Sequence, residues 1–161
     1  MKSPMVWAEI NLKRLRENLR LIRRKQLKPG VEILAVVKAD AYGHGMIETA
    51  KILYSEGVRF FGVANLDEAL ALRAVCGRAR ILVFGSFYKS QVSAYLQKNI
   101  TPTISSVEDA LIFEKSLASR KGKFKVHLKI DTGMGRFGIW HHEIEFSLSK
   151  IKKMKHLDIE G

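Results

Sequence analysis

The chain has 161 residues, 47% of them apolar, and a formal net charge of +12. That length can bury one good core, and an apolar fraction this high with few prolines excludes a disordered chain. No run is long and apolar enough to span a bilayer, and Met1–Glu9 lacks the apolar core of a signal peptide. The single Cys76 excludes an intrachain disulfide and argues against a cysteine metal site, so a reducing cytoplasm is the expected setting.

The apolar pattern alternates between two periods. Residues 12–25 read as a helix, because Leu12, Leu15, Leu19 and Ile22 recur at helical spacing. Residues 31–37 form a short apolar run, hence a strand. A helix follows over 46–56, stopped by Gly57. Residues 59–64 read as a strand, and Asn65 with Glu68 opens a helix that runs to Ala74. Residues 80–84 are a strand ending at Gly85. A helix over 90–97 follows, then a short strand over 100–104 that Pro102 weakens. Ser106 with Asp109 opens a helix to Ser119. Residues 124–130 are a strand, 142–152 a helix and 156–160 the last strand. Strands separated by helices argue for parallel βα units, and periodicity alone leaves an open doubly wound sheet and a barrel both standing. No glycine-rich dinucleotide or P-loop fingerprint follows the first strand.

Much of the positive charge is local. Lys13, Arg14, Arg16, Arg20, Arg23, Arg24, Lys25 and Lys28 cluster early; Lys121, Lys123 and Lys125 follow, then Lys150, Lys152, Lys153 and Lys155. Such charge can attract nucleic acid or anionic lipid. In the first cluster it alternates with a leucine stripe, which favours the solvated face of an amphipathic helix, and no nucleic-acid module accompanies it.

The most specific stretch is residues 36–45, Val-Val-Lys-Ala-Asp-Ala-Tyr-Gly-His-Gly. Lys38 ends an apolar run and meets a glycine-containing corner. Lysine is seldom buried unless paired or used, and a desolvated lysine becomes a nucleophilic amine able to form a Schiff base. A second stretch, residues 129–138, reads Lys-Ile-Asp-Thr-Gly-Met-Gly-Arg-Phe-Gly after the strand Val126-His127-Leu128. A third is Trp7-Ala8-Glu9-Ile10-Asn11-Leu12, followed by a helix carrying Asn18.

These three stretches, in this order and at this spacing, resemble the alanine racemases over nearly the whole chain. The resemblance decides for the barrel. It implies an incomplete TIM-type (β/α) barrel of about six parallel strands over 12–161, which is the pyridoxal-phosphate-binding domain. It also implies that residues 1–11, with a strand over Met5–Ile10, belong to a separate C-terminal β domain. A complete barrel needs about 250 residues, so the chain is expected to be the N-terminal piece of a longer protein; a complete small six-stranded α/β domain is the alternative.

The resemblance also assigns roles. Lys38 holds pyridoxal 5'-phosphate as an internal aldimine and acts as a base at the substrate α-carbon. Tyr42 hydrogen-bonds the cofactor phosphate. Arg136 contacts the substrate carboxylate and the cofactor's phenolate oxygen, and Lys129 matches a lysine that is often carbamylated. Asp131 either orients Arg136 or caps the loop. His44 is expected to be structural and Met134 to pack. His141 and His142 are adjacent, do not share a face and suit no metal. Tyr54, Tyr88 and Tyr95 do not match the opposing catalytic tyrosine, which the family takes from the partner subunit of a homodimer. The implied activity is interconversion of L-alanine and D-alanine, supplying D-alanine for bacterial cell-wall peptidoglycan, with this chain alone inactive. The alternatives are a racemase for serine or a broader amino-acid set, and a non-catalytic basic fragment that binds nucleic acid.

Overall fold

The computed structural model describes residues 6–26, 28 and 30–161. The elements run α1 (Leu12–Gln26), β1 (Leu34–Val36), α2 (Lys38–Gly43), α3 (Met46–Ser55), β2 (Phe60–Val63), α4 (Leu66–Val75), β3 (Arg80–Val83), α5 (Val92–Lys98), β4 (Thr101–Ile104), α6 (Val107–Leu117), β5 (Phe124–Leu128), β6 (Ile130–Asp131), β7 (Ile139–Trp140), α7 (Ile144–Ile151) and β8 (Leu157–Ile159). Of the expected N-terminal strand, Met5 lies outside the described residues, and residues 6–10 form no ladder.

Six strands form one sheet in the order β1-β2-β3-β4-β5-β8, and every neighbouring pair is parallel. The order never reverses. A doubly wound sheet turns back at a switch point, whereas a barrel adds each strand beside the last. Residues alternate across the sheet. Phe61, Val63, Ile81, Val83, Ile104, Val126 and Leu157 join one core with Leu53, Ala69, Leu72, Tyr95 and Phe113 of the helices. Phe60 and Leu82 are also buried but stand apart from that core, on the opposite face.

A single guanidinium shows how far the sheet curls. Arg80 of β3 reaches Glu32, just ahead of β1, at 2.6 Å and Glu160, just after β8, at 3.1 Å. In a flat sheet β1 and β8 would stand about 24 Å apart, five strand spacings. One side chain touches carboxylates from both edges, so the sheet is rolled into an open barrel. Arg80 also lies over the Phe60 ring, 4.1 Å from its centroid.

Three expectations are corrected in detail. Pro102 does not weaken β4: it pairs with Val83, and the Thr103 hydroxyl donates to the Val83 carbonyl at 2.6 Å, a donor from beside a residue that has none. In α1, Leu19 is buried but Ile22 is 46% exposed, so the stripe is shorter than its periodicity. The basic face of α1 is only partly solvated. Arg16 and Arg20 pair with Glu56 at 2.7 and 3.1 Å, and Arg23 donates to the Glu56 carbonyl, so three cations meet the C-terminal end of α3. The Arg20 hydrogen bond leads in holding the Glu56 carboxyl below its ordinary pKa.

Candidate functional site

The lysine-bearing corner is a single helical turn wound left-handed. Ala39, Asp40, Ala41 and Tyr42 have φ of 51, 53, 52 and 56°, and none is glycine. For L-residues this conformation costs about 1–2 kcal/mol each, so hydrogen bonds must hold it. The Ala41 amide donates to the Val37 carbonyl at 2.9 Å, and the Gly45 amide to the Asp40 carbonyl at 3.0 Å. The Asp40 carboxylate accepts from the Met46 amide at 2.7 Å, tying the turn to the start of α3. His44 Nδ1 lies 2.9 Å from the Ala41 carbonyl, a structural contact as expected. Gly43 and Gly45 carry φ of 84 and 83°, which lets the chain leave the turn without further strain.

Lys38 begins this turn and is half-buried, less enclosed than the end of an apolar run suggests. Its Nζ stands 5.8 Å from the centroid of the Phe84 ring. That ring occupies the space left by Gly62, where a Cβ would come within 2.5 Å of two ring atoms. Lys38 therefore leans over an aromatic floor supplied by β2 and the residue after β3. Tyr42, on the same turn, is 62% exposed.

The second motif follows β5. β6 and β7 pair through Ile130↔Ile139 and Asp131↔Trp140 and bracket residues 132–138. Asp131 is buried and accepts from the amides of Gly133 and Gly135 at 2.9 and 3.1 Å. These bonds hold its carboxyl below the usual aspartate range. Asp131 thus caps the loop, and among the described residues it makes no ion pair with Arg136. Lys129 is fixed by its backbone: its amide donates to Ile104 and its carbonyl accepts from Ile139 at 2.7 Å. Gly138 packs so closely on it that a Cβ would meet the Lys129 carbonyl at 2.9 Å. Arg136 is exposed. Met134 is 74% exposed and does not pack, because the loop it rides turns back into β7 without crossing the core. His141 and His142 lie in a tight 3-10 turn with ring centroids 3.8 Å apart, so the two adjacent rings do face each other. No cluster able to hold a metal is present among the described residues.

All the candidate residues fall at the carboxyl ends of parallel strands. Lys38 and Tyr42 share the turn after β1; Lys129, Asp131 and Arg136 share the loop after β5, with β2, β3 and β4 between. Two contributors were not singled out from sequence. Phe84 had a signal, since it ends a strand whose neighbour carries a glycine. Glu68 was read only as part of a helix start. Its carboxylate instead accepts from the Ala39 amide at 2.8 Å and the Ala64 amide at 2.7 Å.

A singly wound parallel sheet, curled as this one is, defines a (β/α)-barrel protein, with the lysine-bearing turn at its carboxyl rim. The sequence profile described as alanine racemase, N-terminal domain, matches residues 10–161, and the chain belongs to that family. The alanine racemase of Carboxydothermus hydrogenoformans is 43% identical over 156 residues, covering 97% of this chain and 42% of that protein. The alanine racemase of Clostridium difficile 630 in complex with cycloserine superposes with a TM-score of 0.87 at 36% identity, over 99% of this chain and 44% of that one. The Bartonella henselae alanine racemase with covalently bound pyridoxal phosphate gives 0.83 at 28% identity, over 94% and 42%. A histidine racemase from Leuconostoc mesenteroides gives 0.79 at 31%, over 91% and 39%. The chain spans less than half the length of each of these proteins.

Proposed function

We propose that this chain is the cofactor-bearing part of an alanine racemase, an isomerase that interconverts L-alanine and D-alanine with pyridoxal 5'-phosphate. The observation that carries the reading is Lys38: a half-buried lysine at the barrel rim, at the start of a costly left-handed turn, with no ion pair among the described residues. The Bartonella relative, which holds pyridoxal phosphate covalently, supports it.

The residues present suit that cofactor. Lys38 offers a primary amine beside an aromatic floor, Tyr42 a phenol on the same turn, and Arg136 an exposed guanidinium. When bound, the cofactor supplies an electron sink that eases removal of the substrate α-proton. In this assignment the Lys38 amine would hold the cofactor and would also take or return the substrate α-proton on one face. The Tyr42 hydroxyl would donate to the cofactor's phosphate. Arg136 would hold the substrate carboxylate or the cofactor's phenolate oxygen with its planar fork, and Lys129, if carbamylated, would present an anion that steadies Arg136. The base for the opposite face is assigned to a tyrosine of the partner subunit in a homodimer, outside these 161 residues. Residues 1–11 are assigned to this chain's own C-terminal β domain, the counterpart of the partner domain that carries the tyrosine.

D-alanine for the cell wall and a cytoplasmic setting follow from this reading. No helix among the described residues is long and apolar enough to cross a membrane. The histidine racemase neighbour supports a second reading, a racemase of different side-chain preference on the same scaffold. Nucleic-acid binding is less well supported, because Arg16, Arg20 and Arg23 are engaged by Glu56.

The test is to incubate the chain with pyridoxal phosphate, reduce it with borohydride and map the peptides. The pyridoxyl group is expected on Lys38, and Lys38→Ala should abolish the cofactor's absorbance band. Label on other lysines with Lys38 unmodified would remove the assignment.

A further inference from the structure

Glu68 occupies the third position of a helix whose N-cap is Asn65, and the Glu68 amide donates to the Asn65 side chain at 2.9 Å. In a capping box the carboxylate would fold back onto the Asn65 amide. It does not. One oxygen takes the Ala64 amide, a residue further upstream, and the other takes the Ala39 amide, 29 residues away in the chain.

Asp109 gives an internal comparison. It stands at the same position of α6, three residues after the N-cap Ser106, and accepts from the Ser105 amide at 3.0 Å. That is the counterpart of the Ala64 bond. An aspartate therefore performs the local task. The glutamate has one more methylene, and its second oxygen reaches the neighbouring loop.

What it reaches is the first amide after Lys38. Val37, Asp40 and His44, whose bonds also hold the left-handed turn, belong to the same chain segment as the turn. Glu68 ties it to a different βα unit. The tie is anchored at its far end as well, because the Ala64 carbonyl accepts from the Gly85 amide at 3.0 Å. Ala39, Glu68, Ala64 and Gly85 thus link the carboxyl ends of β1, β2 and β3 beyond the sheet ladder, around the place where Lys38 meets Phe84.

We propose that Glu68 is a positioning residue for Lys38: its carboxylate locks the first amide of the left-handed turn to the end of β2 and so fixes the lysine amine above Phe84. The proposal rests on Lys38 being the cofactor-bearing amine. It assigns Glu68 no contact with cofactor or substrate.

The experiment compares the unsubstituted chain with Glu68→Asp, Glu68→Ala and Asp109→Ala. Two quantities are read: hydrogen exchange of the Ala39 and Ala41 amides without cofactor, and the share of borohydride-trapped pyridoxyl label on Lys38 relative to all other lysines. Glu68→Asp keeps a carboxylate at the head of α4 but is too short to hold both amides. Loss of one charge-assisted bond should speed Ala39 exchange and lower the Lys38 share by about tenfold. Glu68→Ala should do at least as much. Asp109→Ala, which removes the matching cap after β4, should lower overall stability and leave both readings at Lys38 unchanged. Ala39 exchange and Lys38 labelling unaltered in Glu68→Asp would overturn the proposal. So would an equal fall in Lys38 labelling in Asp109→Ala, because the effect would then be general loosening. Label spread evenly over the lysines of the unsubstituted chain defeats the cofactor reading itself, and Ala39 exchange in Glu68→Asp still decides whether the tie exists.

Discussion

Replacing Gly85 by alanine tests how rigidly the strand ends are joined. Gly85 follows β3 and Phe84, and a Cβ there would stand 2.4 Å from the Ala64 carbonyl oxygen. Ordinary Cβ contacts begin near 3.4 Å, so about 1 Å must be found. The obstacle is backbone, and it cannot swing aside. Ala64 is held through its amide by Glu68 and through its carbonyl by Gly85 itself. Overpacking of this kind costs about 1–3 kcal/mol, and separating the two loops adds roughly 1 kcal/mol for the lost Gly85–Ala64 hydrogen bond. A loss of about 2–4 kcal/mol is a large share of the roughly 5–15 kcal/mol that stabilises a typical domain. With a urea slope of about 2 kcal/mol per molar, the unfolding midpoint followed by circular dichroism should fall by about 1–2 M. Gly62→Ala is the comparison. Its Cβ would come within 2.5 Å of the Phe84 ring, the movable end of a side chain, so its loss should be the smaller of the two. An unchanged midpoint for Gly85→Ala, or a milder effect than Gly62→Ala, would refute the reasoning.

Two further outcomes follow from burial and charge. The Asp131 carboxyl is held low by the Gly133 and Gly135 amides, so its folded pKa lies below the unfolded value of about 3.9. Its contribution is then fully present above that pH and disappears as pH falls through the folded value. The stability gap between the unsubstituted chain and Asp131→Asn should narrow on acidification below about pH 4, and a gap constant from neutral to strongly acidic pH would count against it. Phe113 is fully buried, with ring centroids 4.8 Å from Phe87, 5.9 Å from Tyr95 and 6.0 Å from Phe124. Phe113→Ala should cost about 3–5 kcal/mol. It should also bring the Tyr95 phenol, which burial pushes up to about 12, back toward its ordinary value in a spectrophotometric titration.

The alternation of strands and helices is legible because each βα unit carries its own pattern and its own start and stop. Asn65 and Ser106 cap the helices they were expected to cap, and Gly57 ends α3 with φ of 85°. The curl of the sheet is not legible in the pattern, because period-two alternation is the same in a flat sheet and a rolled one. The left-handed turn is hidden for a different reason. Ala-Asp-Ala-Tyr contains no glycine to announce positive φ, and part of what holds the conformation comes from Glu68, far along the chain. Polarity pattern also says which side chains prefer cover without saying what covers them, which is why Ile22 and Met134 were misread. Asp131 had two readings in sequence, and the glycine amides two and four residues ahead decide for the cap.

The unbroken order of the sheet also sets a sequence of events in time. Each strand from β2 to β5 pairs with the one formed just before it, across a short helical connection, so folding can advance by short loop closures. A chain emerging from the ribosome amino end first can add one unit at a time to an existing edge. Glu32–Arg80–Glu160 is the exception: it spans from β1 to β8, and its Glu160 arm can form only after β8 has docked. Strand pairing therefore proceeds as the chain lengthens, and the Glu160 arm of this bridge reports the docking of β8. Arg80→Met should accordingly speed unfolding far more than it slows refolding.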